Sequence, residues 1–154
     1  MDLSVVNHQD YFAKIGDDHK FPINKFGELA NFLIKKKIVK KFHKPYPCSE
    51  ETLRRAHSEK YIKEVKNKTL GQDMIKKIGF PLVDSVIQRS LVATGGTVLA
   101  SKLAINNGIA CNTAGGSHHA NFIRMTFRNR FTRENKIVLR ILHNFNLYLT
   151  ITFN

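Results

Sequence analysis

Asn107-Gly108-Ile109-Ala110-Cys111-Asn112-Thr113-Ala114-Gly115-Gly116-Ser117-His118-His119 packs three local signals into one short run. Asn107-Gly108 is a strong helix stop, because glycine accepts the left-handed conformation that commonly ends a helix. Ile109-Ala110-Cys111-Asn112 reads as a short buried strand. Ala114 to His119 is a glycine-rich loop that carries two adjacent histidines. Helix, glycine stop, buried strand and glycine-rich loop in that order is the rhythm of an α/β sheet. In open parallel sheets, ligands gather at the carboxyl ends of the strands, and the histidine pair falls at such an end.

Upstream, the longest helical pattern runs from about Leu82 to Asn107. Val83, Val86, Ile87, Ser90, Leu91 and Thr94 form the expected inward stripe, extended by Val98, Leu99 and Leu103. Gly95-Gly96 lies in mid-helix, where each glycine costs about 1 kcal/mol against alanine, so close packing or a break is implied. Leu3 to Val6 is a short apolar run suited to a buried strand. Asp17 to Pro22 is expected as a loop, since the residue before a proline avoids helix. Phe26, Leu29, Ala30 and Leu33 repeat at helical spacing. Ser49, followed by Glu50 and Glu51, predicts a capped helix start, and Ser58 predicts another. Residues 72–78 read as a weaker helix ended by Gly79 and Pro81. The run Lys35-Lys36-Lys37 with Lys40-Lys41 is read as a solvated helix end whose charges complement the dipole.

The chain has 154 residues, which suits one domain with a real core. Its formal net charge is +13, unevenly spread. Residues 1–120 hold 19 Lys+Arg against 11 Asp+Glu, while residues 121–154 hold 6 against 1. Cys48 and Cys111 are far apart and make no Cys-x-x-Cys pair or disulfide framework, which fits a reducing compartment. The N-terminus lacks a basic start and a long apolar run, and no apolar stretch reaches membrane-spanning length. A soluble cytoplasmic protein without a membrane partner is expected.

Adjacent histidines can take and give protons near neutral pH. On a glycine-rich loop the backbone can bend to bring both rings to one small site. As zinc ligands they are poorly spaced, because common ligand pairs sit three to five residues apart. An acid/base role for His118 and His119 fits better than metal binding.

Three stretches together resemble the histone deacetylase family, and most closely its bacterial members of the acetylpolyamine and acetoin-utilisation type. They are Thr94-Gly95-Gly96-Thr97-Val98-Leu99-Ala100, Asn107-Gly108-Ile109-Ala110, and Asn112 through Ala120. His19-Lys20-Phe21-Pro22-Ile23-Asn24-Lys25-Phe26 and Arg55-Ala56-His57-Ser58-Glu59-Lys60-Tyr61-Ile62 are similar to earlier stretches of the same family. The likeness covers roughly residues 3–120. It implies an α/β fold, part of a three-layer arginase/deacetylase-like architecture with a mainly parallel sheet. It also implies zinc-dependent hydrolysis of an N-acetyl amide on a lysine or polyamine. By position, His118 would act with the attacking water as base, His119 would donate a proton to the leaving amine, and Gly116 would lie against substrate.

The likeness stops near Asn121. The family's Asp-x-His zinc motif has no counterpart: no aspartate follows Asp84, and His143 has Ile141 two positions before it. No glycine follows Gly116, and Glu134 is the one acid of residues 121–154. Such a coincidence of changes is what a frameshift near Asn121 produces, and the expected organisation is a deacetylase-like portion over 1–120 with a divergent basic tail over 121–154. Without the family's ligands, tight zinc binding and catalysis are not expected of this chain, which reads as a truncated or pseudogene-like product. Within the tail, Val138, Ile141, Leu142 and Phe145 have helical spacing, and Leu147 to Phe153 alternates as a strand does. Aromatic residues interleave with Arg124, Arg128, Arg130 and Arg133, as in some single-strand binders. A basic nucleic-acid-binding protein is therefore the alternative reading. Accidental composition accounts for the pattern more simply, and nucleic acid is not an expected partner.

Overall fold

A computed structural model describes residues 3–114 throughout, together with the backbone of residues 137–142 and 147–152. The expected first strand forms as β1 (Ser4–Val6), with all three residues buried. It pairs in parallel with β2 (Ala110–Asn112), in the register Ser4 to Ala110, Val5 to Cys111 and Val6 to Asn112. The other edge of β1 takes a parallel bridge from His43. There the His43 N–H donates to the Val5 carbonyl at 2.9 Å, and the Asn7 N–H donates to the His43 carbonyl at 3.1 Å. β1 is thus enclosed on both sides, which fits its apolar valines.

Between these strands the chain forms the helices that its apolar spacing, serine caps and glycine stops predict. They are α1 (Lys25–Lys35), α2 (Glu50–Arg54), α3 (Glu59–Lys66), α4 (Gln72–Ile78) and α5 (Asp84–Asn107). The Ser49 hydroxyl accepts the Thr52 N–H, and that of Ser58 accepts the Tyr61 N–H, each at 3.2 Å. α1 turns Phe26 and Ala30 inward. Lys35, Lys36 and Lys37 at its end are exposed, as a solvated helix terminus should be.

α5, about 36 Å long by helical rise, lies against the parallel strands. It ends where Asn107-Gly108 predicts: Gly108 has φ +82° and its N–H closes on the Ala104 carbonyl. Asn107 Nδ2 donates to Ser4 Oγ at 2.9 Å, tying the helix end to the start of β1. The buried face differs from the expected stripe. It consists of Val86, Arg89, Val92, Ala93, Gly96, Ala100 and Ala104, whereas Val83, Ser90 and Val98 are exposed. The reason is steric. Ala100 and Ala104 pack on Val6 and Ala110, and small side chains let helix and strand approach closely. Hydrophobic size alone picks a neighbouring face.

The paired glycines serve close packing rather than a break, since the helix continues through them. A Cβ on Gly95 would overlap the Tyr46 carbonyl oxygen, and one on Gly96 would overlap the Tyr11 hydroxyl. The Cys48 N–H donates to the Leu91 carbonyl, holding the proline-rich loop against α5 at the first of these.

The described elements form a mixed helix-and-strand fold with a small parallel sheet. In the C-terminal part, β3 (Ile137–Leu142) pairs antiparallel with β4 (Leu147–Thr152). β4 agrees with the alternation in the sequence. β3 corrects the helical spacing of Val138, Ile141 and Leu142. Short apolar runs fit either period, and the β-branched Ile137, Val138 and Ile141 favour the pleated one.

Two outcomes test this packing. Gly96→Ala should lower stability by about 1–3 kcal/mol through overpacking. Gly27→Ala, on an open face of α1, should leave stability unchanged or raise it by about 1 kcal/mol, as read from urea unfolding. The second concerns His57, which stacks on Tyr61 at 5.2 Å. Burial holds its pKa below the ordinary histidine value. The unfolded chain then binds its proton first, so stability falls as pH drops through the ordinary histidine range near 6.5. His57→Phe should flatten that part of the stability curve between pH 7.5 and 5.5.

Candidate active site

Gly116, His118 and His119 lie outside the described residues. Ala114, two positions before Gly116, is the last residue placed on that side. The Thr113 N–H donates to the Val6 carbonyl at 3.0 Å, and the Thr113 hydroxyl donates to Asn7 Oδ1 at 2.7 Å. The carboxyl ends of β1 and β2 are therefore stitched side by side, at the sheet edge where α/β proteins bind ligands.

Beneath that edge lies a buried polar cluster. The Tyr11 hydroxyl donates to Asn112 Oδ1 at 2.8 Å. Asn112 Nδ2 donates to the Ala114 carbonyl at 2.9 Å, and Oδ1 accepts the Ala114 N–H at 3.3 Å. Tyr11 is 1% exposed and Asn112 3% exposed. Burial pushes the Tyr11 phenol well above its usual range, only partly offset by Asn112 and Arg89, so it remains a donor at every physiological pH.

Arg89 anchors the same corner. Its Nε–H donates to the Tyr11 carbonyl at 3.0 Å. Its guanidinium lies 4.9 Å from the Phe26 ring centre and 5.7 Å from that of Phe21. The Lys25 ammonium lies 4.6 Å from the Phe21 ring centre and 5.3 Å from that of Phe26. Two cations share one aromatic pair, an arrangement stabilised by the ring quadrupoles. Burial lowers the pKa of both side chains, and Arg89 lowers that of Lys25 further. Arg89 Nη2 is buried with no hydrogen-bond partner among the described residues.

The two earlier motif histidines have structural surroundings. The Phe21 N–H donates to His19 Nδ1 at 3.1 Å. That fixes the tautomer, so Nε2 carries the proton and donates to the Gly79 carbonyl at 2.9 Å. The His19 ring also stacks on Phe80 at 5.1 Å. His57 rests on Tyr61 as described above. Neither belongs to the corner around Asn112.

Tyr11 and Arg89 belong to no motif, and Lys25 lies in the family-like stretch of residues 19–26 without a role that its spacing suggests. Tyr11 sits in a single 3-10 turn (Gln9–Tyr11). Arg89 would have been visible only as a charge on the inward face of α5, had that face been assigned correctly. Asn112 belongs to the quoted motif, but its side chain suggested no role.

A zinc site needs three or four convergent donors. Among the described residues, no group of three His, Cys, Asp or Glu side chains is placed to hold a metal ion. The donor set found there does not fit zinc, and no chemical step is derived through it. Among the same residues, no helix is long and apolar enough to cross a membrane.

Residues 19–144 match the family described as the histone deacetylase domain, a span that reaches past residue 120. An uncharacterized protein of Picosynechococcus sp. is 37% identical over 122 residues, covering 78% of this chain and 41% of that protein. Histone deacetylase 2 of Arabidopsis thaliana is 28% identical over 128 residues, covering 76% of this chain and 33% of that protein. The chain thus spans less than half the length of either relative. These likenesses do not favour the nucleic-acid alternative. A match over most of the sequence, which includes the buried strand that leads into Gly-Gly-Ser-His-His, places this chain in the histone deacetylase family.

Proposed function

We propose that this chain carries the proton-transfer part of a deacetylase site, with His118 and His119 as its acid/base pair and Gly116 against the substrate. The substrate class is an N-acetylated amine, either an acetyl-lysine or an acetylpolyamine. One observation carries the reading: the stitched carboxyl ends of β1 and β2 stand immediately before Gly115-Gly116-Ser117-His118-His119. In chemical terms, His118 takes a proton from the attacking water. His119 then gives one to the departing amine. A pair of this kind contributes roughly 10²–10⁴-fold to a hydrolysis.

The family's chemistry includes a zinc ion that polarises the acyl oxygen. These 154 residues do not provide the Asp-x-His donors for it. Taken alone, the 154-residue chain is therefore proposed to be without deacetylase activity. Residues 121–154 are proposed to be a divergent tail, with the completed family domain taking the three-layer form. Sequencing the gene checks the tail: an Asp-x-His continuation in another reading frame is the expected finding, and its absence removes the frameshift.

Purified as it stands, and supplied with stoichiometric zinc, the chain should show no zinc-dependent release of acetate from an acetyl-lysine peptide or from N-acetylputrescine. Turnover would overturn the proposed inactivity. Joining residues 1–120 to the remaining length of the Picosynechococcus relative should give a zinc-dependent hydrolase. In that chimera His118→Ala should lower kcat by about 10²–10⁴-fold. A well-folded, zinc-loaded chimera without turnover would count against the deacetylase reading itself.

A further inference from the structure

Asn112 is 3% exposed, at the carboxyl end of β2, where Ala110, Thr113 and Ala114 are buried beside it. Its carboxamide does not face another strand. Both of its ends grip a single residue, Ala114. Nδ2 holds the Ala114 carbonyl at 2.9 Å, and Oδ1 holds the Ala114 N–H at 3.3 Å. The backbone beyond the ladder is thus fastened by a side chain. Tyr11 decides which way round the carboxamide sits, because its hydroxyl donates to Oδ1 at 2.8 Å. Longer contacts from Nδ2 to the Ala93 carbonyl and Thr97 Oγ1, both 3.4 Å, point the same way. Gly96 leaves the space in which these groups meet, since a Cβ there would press on both the Tyr11 hydroxyl and Asn112 Nδ2. A buried polar group of this kind costs stability unless every partner is in place, and a hydrophobic side chain would fill the same volume. The arrangement is explained by what it fixes.

We infer that Asn112, oriented by Tyr11, is a positioning residue: it fixes the backbone of Ala114, from which the sequence continues into Gly115-Gly116-Ser117-His118-His119. This inference rests on the reading of His118 and His119 as the acid/base pair.

Asn112→Asp is the informative variant. A carboxylate can accept from Tyr11 and from the Ala114 N–H, but it cannot donate to the Ala114 carbonyl until it is protonated. Amide hydrogen exchange in the ¹⁵N-labelled 154-residue chain should show the Ala114 amide losing protection on the order of tenfold at pH 8. The Val6 and Cys111 ladder amides should change less than about twofold. Lowering the pH to 5 should restore protection at Ala114. The His118 imidazole should also titrate at a displaced midpoint in the variant, followed by NMR and assigned with His118→Gln. If Asn112→Asp does not fold, Tyr11→Phe serves in its place, with the same local loss and no recovery in acid. Unchanged protection at Ala114, a parallel loss at Val6 and Cys111, or an unmoved His118 titration would overturn the inference. None of these measurements needs turnover. An inactive chimera with the expected exchange pattern would therefore sink the deacetylase reading and leave the positioning role standing.

Discussion

The distance to which α5 can approach the parallel strands governs the rest of the molecule. Ala100 and Ala104 set that distance at the strands themselves, against Val6 and Ala110. Gly96 sets it one turn earlier, where the helix surface must clear the Tyr11 hydroxyl and the Asn112 carboxamide. Were the helix farther away, Asn112 would lose its contacts with Ala93 and Thr97, and Arg89 would no longer reach the Tyr11 carbonyl. Small side chains bury little apolar surface themselves. What they permit is dense contact between backbone elements, and interiors are packed tightly enough for that to matter.

The same geometry explains why charge is tolerated so deep in the fold. Arg89 is 7% exposed, and an isolated cation there would be costly. Its Nε–H is satisfied by a main-chain carbonyl, and its planar face lies on aromatic rings. Guanidinium suits this position better than ammonium, because it is less strongly hydrated and can stack. Lys25, partly exposed, shares those rings from the solvent side.

Local rules made much of the fold legible. Ser49 and Ser58 announced their helices through side-chain capping, Asn107-Gly108 announced the end of α5, and the apolar runs at Leu3–Val6 and Ile109–Asn112 announced the two parallel strands. Each depends on residues close in sequence. The inward face of α5 was not legible, because it is chosen by Gly96, Ala100 and Ala104 and by what they meet across the chain. The helical spacing around Val138 failed for a similar cause: its strand is defined by pairing with residues 147–152. At the candidate site, the histidine pair was visible as a motif, while Tyr11 and Arg89 were not, and Lys25 stood in a motif without a visible role. Their importance comes from long-range contacts, such as the hydroxyl of residue 11 meeting a carboxamide at residue 112.

That separation bears on how the protein is made. At a translation rate of roughly 5–20 residues per second, the ribosome needs on the order of 5–20 seconds to travel from Tyr11 to Asn112. Throughout that interval Val5 and Val6 have emerged without the strand they will lie beside. A nascent segment of two valines with one open edge is a target for chaperones and for stray pairing with other chains. Only when α5 and β2 leave the exit tunnel does β1, bridged until then by His43 alone, gain the strand it pairs with.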